Sequence, residues 1–296
     1  MNYKSKDGSI RLFRGANSDV ITELGLADSV DSVVTDPPYG ISFMGKKWDC
    51  SVPSVETWSS VLTAIKPGGY LLSFSGTRTY HRAVVNIEDA GFEIRDMIAW
   101  AYGTGFPKSL NVGGLGTALK PALEPIVLAR KPIKTTVVAN IHTHGTGALN
   151  ITACRVPTTD TYHYRNGAGG NGFHGGVGRP PDGSRVDTPS MPAGGRWPAN
   201  IIHDGSDVGL GTASRFFYCA KPSRSERGEG NNHPTVKPIA LMRYLCKLVT
   251  PCGGIILDPF MGSGTTGLAA RLEAFQFLGI DNDAAAYEIA VRRLSA

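Results

Sequence analysis

The C-terminal part of the chain places a buried strand, a glycine-rich turn and a helix in direct succession, and this order of elements strongly restricts the fold. Residues 255–258 (Ile-Ile-Leu-Asp) form a short apolar run after two glycines, which predicts a buried strand. The turn that follows, Gly262-Ser263-Gly264-Thr265-Thr266-Gly267, fits the G-x-G-x-x-G template in the strand-to-helix context that the template requires. Helix, strand and helix are predicted at residues 265–272, 275–281 and 284–294. The pattern indicates a β-α-β unit that binds a nucleoside, although a glycine turn that only packs helix on strand is the alternative.

Two carboxylates flank this turn and indicate what it binds. Asp281 ends the next predicted strand, where a carboxylate can accept hydrogen bonds from both ribose hydroxyls. Asp258 and Phe260 place a carboxylate and an aromatic ring beside the glycines, where they suit an ammonium group and an adenine ring. A P-loop is excluded because no lysine precedes Thr265. Only fifteen residues follow Asp281, so a dinucleotide oxidoreductase would have to draw its other strands from earlier in the chain.

A second acidic residue that follows a predicted strand occurs early in the chain. Residues 30–35 predict a buried, β-branched strand, and Asp36 comes directly after it. The turns that begin at Asp36 and at Asp258 are called the two acidic corners. Pro37 and Pro38 fix φ at about −65° and lack an N–H, so the carbonyls of Asp36 and Pro37 stay free as acceptors. The ring of Tyr39 is expected beside them. Two acceptors can orient an exocyclic amine of a nucleobase, and stacking on the ring contributes about 1–3 kcal/mol. A simple turn is the alternative interpretation.

Composition excludes several classes of protein. Of the 296 residues, 41% are apolar and no run of eighteen apolar residues occurs, so the chain is predicted to lack a membrane span and to belong to the cytoplasm. The five cysteines show no C-x-x-C pair, and His142 and His144 have no acidic or cysteine partner nearby, so neither disulfides nor a metal site is predicted. Residues 102–232 hold fourteen Lys and Arg against eight Asp and Glu. This excess is consistent with a surface that faces phosphates and also with an ordinary solvated face.

The remaining segments alternate between strand and helix. An edge strand is predicted at residues 9–14, and a loop at 41–49 carries bulky residues that could lid a pocket. Further helices are predicted at 18–27, 55–65, 80–90 and 233–249, and further strands at 70–75, 94–100 and 122–129. Regular structure, with no type assigned, is expected again at 200–203 and 215–220. This alternation argues for an α/β layer fold. Glycine, proline, threonine and histidine crowd residues 131–198, most densely at 167–178, so little regular structure is expected there. Residues 167–195 are predicted to be a disordered linker or a functional loop that orders on a partner.

Four motifs together resemble those of the S-adenosylmethionine-dependent DNA amino-methyltransferases, which act on adenine N6 or cytosine N4. The motifs are Asp-Pro-Pro-Tyr at 36–39, His-Pro-Thr-Val-Lys-Pro at 233–238, Asp-Pro-Phe-Met-Gly-Ser-Gly-Thr-Thr at 258–266 and Phe-Leu-Gly-Ile-Asp at 277–281. Their order, catalytic motif first and cofactor motifs last, is similar to the β class, a circular permutation of the usual methyltransferase chain. Residues 104–110 (Thr-Gly-Phe-Pro-Lys-Ser-Leu) are similar to phage-encoded members.

The resemblance implies a fold and a division of the chain. The fold would be α/β, a Rossmann-like methyltransferase sheet, circularly permuted, with an inserted irregular target-recognition region. Residues 1–131 would form the first part of the catalytic domain, residues 132–198 the Gly/Pro-rich target-recognition insertion, and residues 199–296 the second part with the cofactor-binding motifs.

The resemblance also implies a role for each motif residue, with S-adenosylmethionine as the cofactor. Phe260 and the glycines would wrap its methionine half, and Asp281, where many β-class members carry Glu, would take the ribose. Thr235 and Lys237 would close over it. The implied cofactor-binding residues are Thr235, Lys237, Asp258, Phe260, Gly262, Gly264, Thr265 and Asp281, and the implied catalytic residues are Asp36, Pro37, Pro38 and Tyr39.

The implied substrate is double-stranded DNA, from which the target base is flipped into the pocket. Asp at the first position of the catalytic motif goes mainly with adenine in this family, so adenine N6 is predicted and cytosine N4 is the alternative. A homodimer is an expectation from β-class relatives, and none of the cysteines is assigned as a nucleophile. Two functions from other classes stay open: an NAD-dependent oxidoreductase and a DNA-binding protein without enzymatic activity.

Overall fold

A computed structural model describes residues 2–42, 45, 47–103, 105, 110–157, 195–204, 217–219 and 236–295. Within these ranges, ten strands form one mixed sheet. They are β1 (Asn2–Lys4), β2 (Ile10–Arg14), β3 (Val30–Thr35), β4 (Ile65–Phe74), β5 (Glu93–Ala101), β8 (Leu123–Arg130), β9 (Ile201–His203), β10 (Phe217–Tyr218), β11 (Ile255–Asp258) and β12 (Gln276–Asp281). A hairpin outside this sheet consists of β6 (Asn111–Val112) and β7 (Leu115–Gly116).

The helices connect or follow these strands. They are α1 (Asn17–Glu23), α2 (Val55–Ala64), α3 (Tyr80–Asp89), α4 (Val137–His144), α5 (Ile239–Val249), α6 (Thr265–Leu272) and α7 (Ala284–Ser295). None of the helices within the described ranges combines the length and the apolar content needed to cross a lipid bilayer.

The strands follow one another across the sheet in the order β1-β2-β12-β11-β3-β4-β8-β5-β9-β10. From β2 to β4 the neighbours run parallel, whereas β8 is antiparallel to both β4 and β5. β3 and β11 lie side by side, and the chain leaves them in opposite directions: β3 leads through α2 to β4, and β11 leads through α6 to β12. Ligands of open α/β sheets bind in the crevice at such a switch point. The carboxyl ends of β3 and β11 are therefore the expected place for a site.

Helices cover both faces of the sheet, because consecutive strand residues point to opposite sides. Val33 and Leu71 pack in a cluster with apolar residues of α1, α2 and α3. Their neighbours Val34 and Leu72 pack in a second cluster with residues of α5, α6 and α7. Burial on both faces explains the nearly continuous apolar runs that predicted these strands.

Local sequence sets the helices beside the switch point. Ser54 caps α2 by accepting a hydrogen bond from the N–H of Thr57 at 3.4 Å. Pro238 directly precedes α5 with φ of −60°. Gly264 precedes α6 with φ of +79°, and a Cβ at this position would lie 3.1 Å from the side chains of Ala290 and Leu294 in α7. Glycine is required at 264 for the left-handed turn, and its lack of a side chain lets α7 approach.

Three predictions of secondary structure are wrong. The strand at residues 9–14 is not an edge strand, because β2 pairs with β1 on one side and with β12 on the other. Strand β4 begins at Ile65 and not at residue 70, since Ile65 already pairs with Val30 of β3. Helix α4 lies in the segment that was expected to hold little regular structure. It is capped by Thr136, and Asn140 anchors it to the carbonyl of Pro67 at 2.9 Å.

Some predictions fall outside the described residues. These are the glycine-rich stretch at 167–178, most of the regular segment expected at 215–220 and residues 233–235 of the helix predicted at 233–249. Residues 236–238 are described and are not helical, so the helix begins at Ile239 and not at residue 233.

Phe277 in β12 is fully buried in the core, with 0% exposure. We expect Phe277→Ala to lower the free energy of unfolding by about 3–5 kcal/mol, because the truncated side chain leaves a cavity. Urea unfolding followed by circular dichroism measures this change. Leu272→Ala is the control, since Leu272 is 57% exposed; its effect should stay within about 0.5 kcal/mol. Equal losses in the two variants would contradict this placement of the core.

Candidate active site

The two acidic corners predicted from the sequence lie next to each other. β3 ends at Thr35 and β11 ends at Asp258, and these strands are parallel neighbours, so the loops that follow leave the sheet at the same edge. The hydroxyl of Thr35 donates a hydrogen bond of 2.7 Å to Oδ1 of Asp258, and both residues are buried. This bond joins the two corners directly.

Asp36 is the centre of a cluster of charged and polar side chains. Its Oδ2 accepts a hydrogen bond of 2.6 Å from Nζ of Lys237, and its Oδ1 accepts one of 2.8 Å from the hydroxyl of Tyr39. The ammonium group of Lys237 also lies 4.7 Å from the ring centroid of Phe74 and 5.5 Å from that of Tyr39. Lys237 was predicted to contact the cofactor; in the structure its Nζ contacts Asp36, a predicted catalytic residue.

Glu124 completes this cluster, although the sequence analysis did not identify it. Its Oε2 lies 3.3 Å from Nζ of Lys237 and 3.3 Å from the hydroxyl oxygen of Tyr39, and its Oε1 accepts a hydrogen bond of 3.2 Å from Tyr102. Glu124 is the second residue of β8, which runs antiparallel to β4 and therefore begins at the edge where β3 ends. An acidic residue at the start of an otherwise apolar strand is the signal that could have identified it.

Negative charge exceeds positive charge in this cluster. Burial alone would lower the pKa of Lys237, but the carboxylates of Asp36 and Glu124 outweigh it and raise the pKa above its usual value, so the side chain is an ammonium ion at neutral pH. Burial also raises the pKa of the Tyr39 hydroxyl well above its usual value, and the same two carboxylates raise it further. Tyr39 is thus a neutral hydrogen-bond donor. With both carboxylates ionised, this group of four side chains carries one net negative charge.

Asp49 is a second acidic residue that sequence analysis missed, and it stabilises the turn that follows Asp36. It ends a short 3₁₀ turn (Lys47–Asp49) and is 1% exposed. Its Oδ1 accepts the backbone N–H groups of Tyr39 at 2.6 Å and Gly40 at 2.9 Å. The hydroxyl of Thr79 donates to the carbonyl of Tyr39 at 2.5 Å. The described part of the predicted lid loop therefore supports the corner.

A cavity joins the Asp36 cluster to the glycine turn. Five of the eight predicted cofactor-binding residues line it, together with Asp36. Its lining residues are Asp36, Lys237, Met242, Asp258, Phe260, Met261, Gly262, Ser263, Thr265 and Thr266. Of the other three, Gly264 packs on α7, Asp281 accepts the N–H of Gly262 at 2.8 Å, and Thr235 lies outside the described residues.

The two carboxylates of the cofactor motifs have different surroundings. Asp281 is partly exposed at the end of β12, and its oxygens accept the N–H groups of Gly262 at 2.8 Å and Asp283 at 2.9 Å. Burial nevertheless raises its pKa. Asp258 is 2% exposed and accepts, besides the Thr35 hydroxyl, the Thr266 hydroxyl at 2.6 Å. Burial raises the pKa of Asp258 to about 7. Through these two hydrogen bonds, Asp258 connects β11 to β3 and to α6.

Other contacts fix the remaining motif residues. The ring of Phe260 packs edge-on against Trp58 of α2, with centroids 6.2 Å apart. Pro37 is buried and Pro38 is half-buried. Arg293 of α7 donates a hydrogen bond of 3.2 Å to the hydroxyl of Thr265, which holds the glycine turn on α7.

Comparison with known proteins identifies the family. The model of the N6/N4 DNA methylases matches residues 30–292. The chain belongs to this DNA methylase family. The family predicted from the four motifs is thereby confirmed, and membership argues against an NAD-dependent oxidoreductase.

Individual relatives agree with this result. The type II methyltransferase M.HindIII of Haemophilus influenzae is 27% identical over 260 residues, which cover 81% of this chain and 68% of that protein. The crystal structure of an M1.HpyAVI–S-adenosylmethionine complex matches with a TM-score of 0.56 and 20% identity, covering 96% of this chain and 100% of the other. The cytosine-N4-specific PvuII DNA methyltransferase matches with a TM-score of 0.57 and 14% identity, covering 95% and 86%. The fold is therefore the mixed α/β fold of DNA methyltransferases, and the methylase is an amino-methyltransferase of the adenine-N6 or cytosine-N4 type.

The raised pKa of Asp258 predicts how the stability of the methylase depends on pH. Burial raises the pKa of the native carboxyl to about 7, whereas the usual pKa of an aspartic acid side chain is 3.8. The native state binds more protons between these values, so the free energy of unfolding contributed by this group is lost as the pH rises through the interval. Asp258→Asn is neutral at every pH and should become more stable relative to the wild type as the pH rises from about 4 to about 8.

Urea unfolding at several pH values measures this difference. Asp89→Asn, at an exposed position in α3, is the control and should show no such trend. A stability difference between Asp258→Asn and the wild type that stays constant with pH would contradict the assignment.

Proposed function

We propose that the methylase transfers a methyl group from S-adenosylmethionine to N6 of an adenine that is flipped out of double-stranded DNA. The observation that carries this proposal is the single cavity that extends from the carboxylate of Asp36 to the glycine turn at residues 262–266. An acceptor for an amine and a turn suited to a nucleoside thus share one space. Two reactants held side by side gain about 7–11 kcal/mol from proximity and orientation.

The residues around the turn fit S-adenosylmethionine. Phe260 offers an apolar ring to the adenine, and the oxygens of Asp281 each accept one backbone N–H, which leaves further lone pairs for the ribose hydroxyls. The net negative charge of the Asp36 cluster favours a cofactor that carries positive charge. When bound, S-adenosylmethionine supplies an electrophilic methyl group on a sulfonium sulfur.

Asp36 and Tyr39 prepare the target amine. Asp36 accepts a hydrogen bond from the amine, orients its nitrogen and stabilises the positive charge that develops there. Prior removal of a proton is not required, since an aryl amine is far too weak an acid for a carboxylate. Stacking on the ring of Tyr39 contributes about 1–3 kcal/mol, which offsets part of the cost of extruding the base. Asp49 supports both residues by binding the backbone N–H groups of the corner.

The division of the chain is part of the same proposal. Residues 1–131 and 199–296 form the catalytic domain, a circularly permuted Rossmann-like sheet in which the catalytic motif precedes the cofactor-binding motifs in the chain. Residues 132–198 form the target-recognition region, whose first part packs on β4 through Asn140 of α4. The proposed setting is the cytoplasm of a bacterium or of a phage-infected host, and a homodimer remains an expectation.

Adenine is proposed over cytosine because Asp stands at the first position of the catalytic motif. Both bases present the same amine geometry, so cytosine N4 is the second candidate. Unmethylated DNA treated with the enzyme and digested to nucleosides should contain N6-methyldeoxyadenosine on mass analysis. N4-methyldeoxycytidine would establish the second candidate, and the absence of both would refute amine methylation of DNA.

The role of Asp36 predicts a separation of binding from turnover. Asp36→Asn should keep the affinity for S-adenosylmethionine, measured by calorimetry, and should lower kcat by at least about 100-fold, because the neutral amide stabilises the developing cation poorly. Asp89→Asn, on the exposed face of α3, should retain full activity. Unchanged methylation by Asp36→Asn would defeat the assignment.

A further inference from the structure

Both oxygens of Asp36 are engaged by donors of the protein itself. Nζ of Lys237 lies 2.6 Å from Oδ2, and the hydroxyl of Tyr39 donates to Oδ1 at 2.8 Å. The ammonium group of Lys237 also lies 4.7 Å from the ring centroid of Phe74. A target amine that binds Asp36 therefore competes with these two donors for the carboxylate oxygens.

The same oxygen of Glu124 is a second acceptor for both donors. Its Oε2 lies 3.3 Å from Nζ of Lys237 and 3.3 Å from the hydroxyl oxygen of Tyr39. Each distance exceeds that to Asp36, so a short movement of either donor toward Glu124 would exchange one partner for the other. The carboxylate of Glu124 is itself held in place through its Oε1 by the buried Tyr102, at 3.2 Å.

The ammonium group of Lys237 needs such a second partner. Its side chain is only 9% exposed, and a buried charge that loses its counter-ion is strongly disfavoured. Within the described ranges, Asp36 and Glu124 are the carboxylates in ion-pair contact with Lys237. When Asp36 changes partner, Glu124 is the group that can keep Lys237 paired inside the pocket.

We propose that Glu124 takes up the Lys237 ammonium, and accepts the Tyr39 hydroxyl, when the target amine binds Asp36. The inference rests on the proposed contact between Asp36 and that amine. Glu124 then acts as a positioning residue, since it keeps the oxygens of Asp36 available for the base without touching the base.

Glu124→Gln tests the charge while keeping the shape of the side chain. Of the two carboxylates in ion-pair contact with Lys237 among the described residues, only Asp36 then remains. Lys237 therefore competes more strongly with the target amine, and kcat/KM for unmethylated DNA should fall about 10–100-fold. The affinity for S-adenosylmethionine, measured by calorimetry, should change less than about threefold. Glu124→Asp keeps the negative charge and should therefore be more active than Glu124→Gln. The control is Glu273→Gln. Glu273 follows the last residue of α6 and pairs with Arg243 at 2.5 Å, so this substitution should not affect the reaction.

A second measurement, made in the Lys237→Met variant, distinguishes the proposed role of Glu124 from a purely structural role. Lys237→Met removes the ammonium group and keeps most of the length of the side chain. In this background Glu124→Gln should cost less than about threefold in the single-turnover rate at saturating cofactor, because no buried cation needs a new partner. Radiolabelled S-adenosylmethionine keeps slow variants measurable, and circular dichroism verifies folding.

An equal loss from Glu124→Gln in both backgrounds would overturn the inference, because Glu124 would then act only by holding the hydroxyls of Tyr39 and Tyr102. This result is distinct from a failure of the proposed function. If Asp36→Asn retains turnover, the proposed function fails. If Asp36→Asn is inactive and the loss from Glu124→Gln is equal in both backgrounds, the inference about Glu124 fails alone.

Discussion

The hydrogen bond from Thr35 to Asp258 connects the ends of two parallel strands that are 223 residues apart in the chain. The site depends on this adjacency. Because β3 and β11 run in the same direction, the loop with Asp36 and the loop with the glycine turn leave the sheet at one edge. Because the chain then moves to opposite sides of the sheet, a crevice opens between the two loops. The carboxylate of Asp258, buried between the hydroxyls of Thr35 and Thr266, fixes this arrangement at its base.

Charge is the second constraint on the site. A methyl acceptor that becomes positive during the reaction is favoured by nearby negative charge in a pocket shielded from water. Asp36 and Glu124 provide that charge, and Lys237 compensates for only part of it. In the proposed reaction, the ammonium group of Lys237 competes with the target amine for the oxygens of Asp36. The proposed role of Glu124 is to pair with Lys237 when the base binds, so that no buried charge is left without a partner.

Much of the fold could be predicted from local sequence. The β-branched run at residues 30–35 and the apolar run at 255–258 predict buried strands, and the structure confirms both. The wrong predictions of secondary structure also have local causes. Strand β1 spans only three residues, too few for a periodic pattern, so β2 was taken for an edge strand. Helix α4 contains β-branched residues in a segment rich in glycine and proline, and its stability comes from contacts with β4 that the local pattern does not contain.

The sequence by itself determined the family, the order of the motifs and the two acidic corners, because each of these is carried by residues adjacent in the chain. Tertiary structure alone decided which side chains meet Asp36. Lys237 reaches it from 201 residues away, and Glu124 reaches the same cluster because β8 runs antiparallel beside β4. Asp49 supports Tyr39 through its backbone N–H. Hydrogen bonds and charges act through space over a few ångströms, so these partners are set by the order and direction of the strands and not by spacing along the chain.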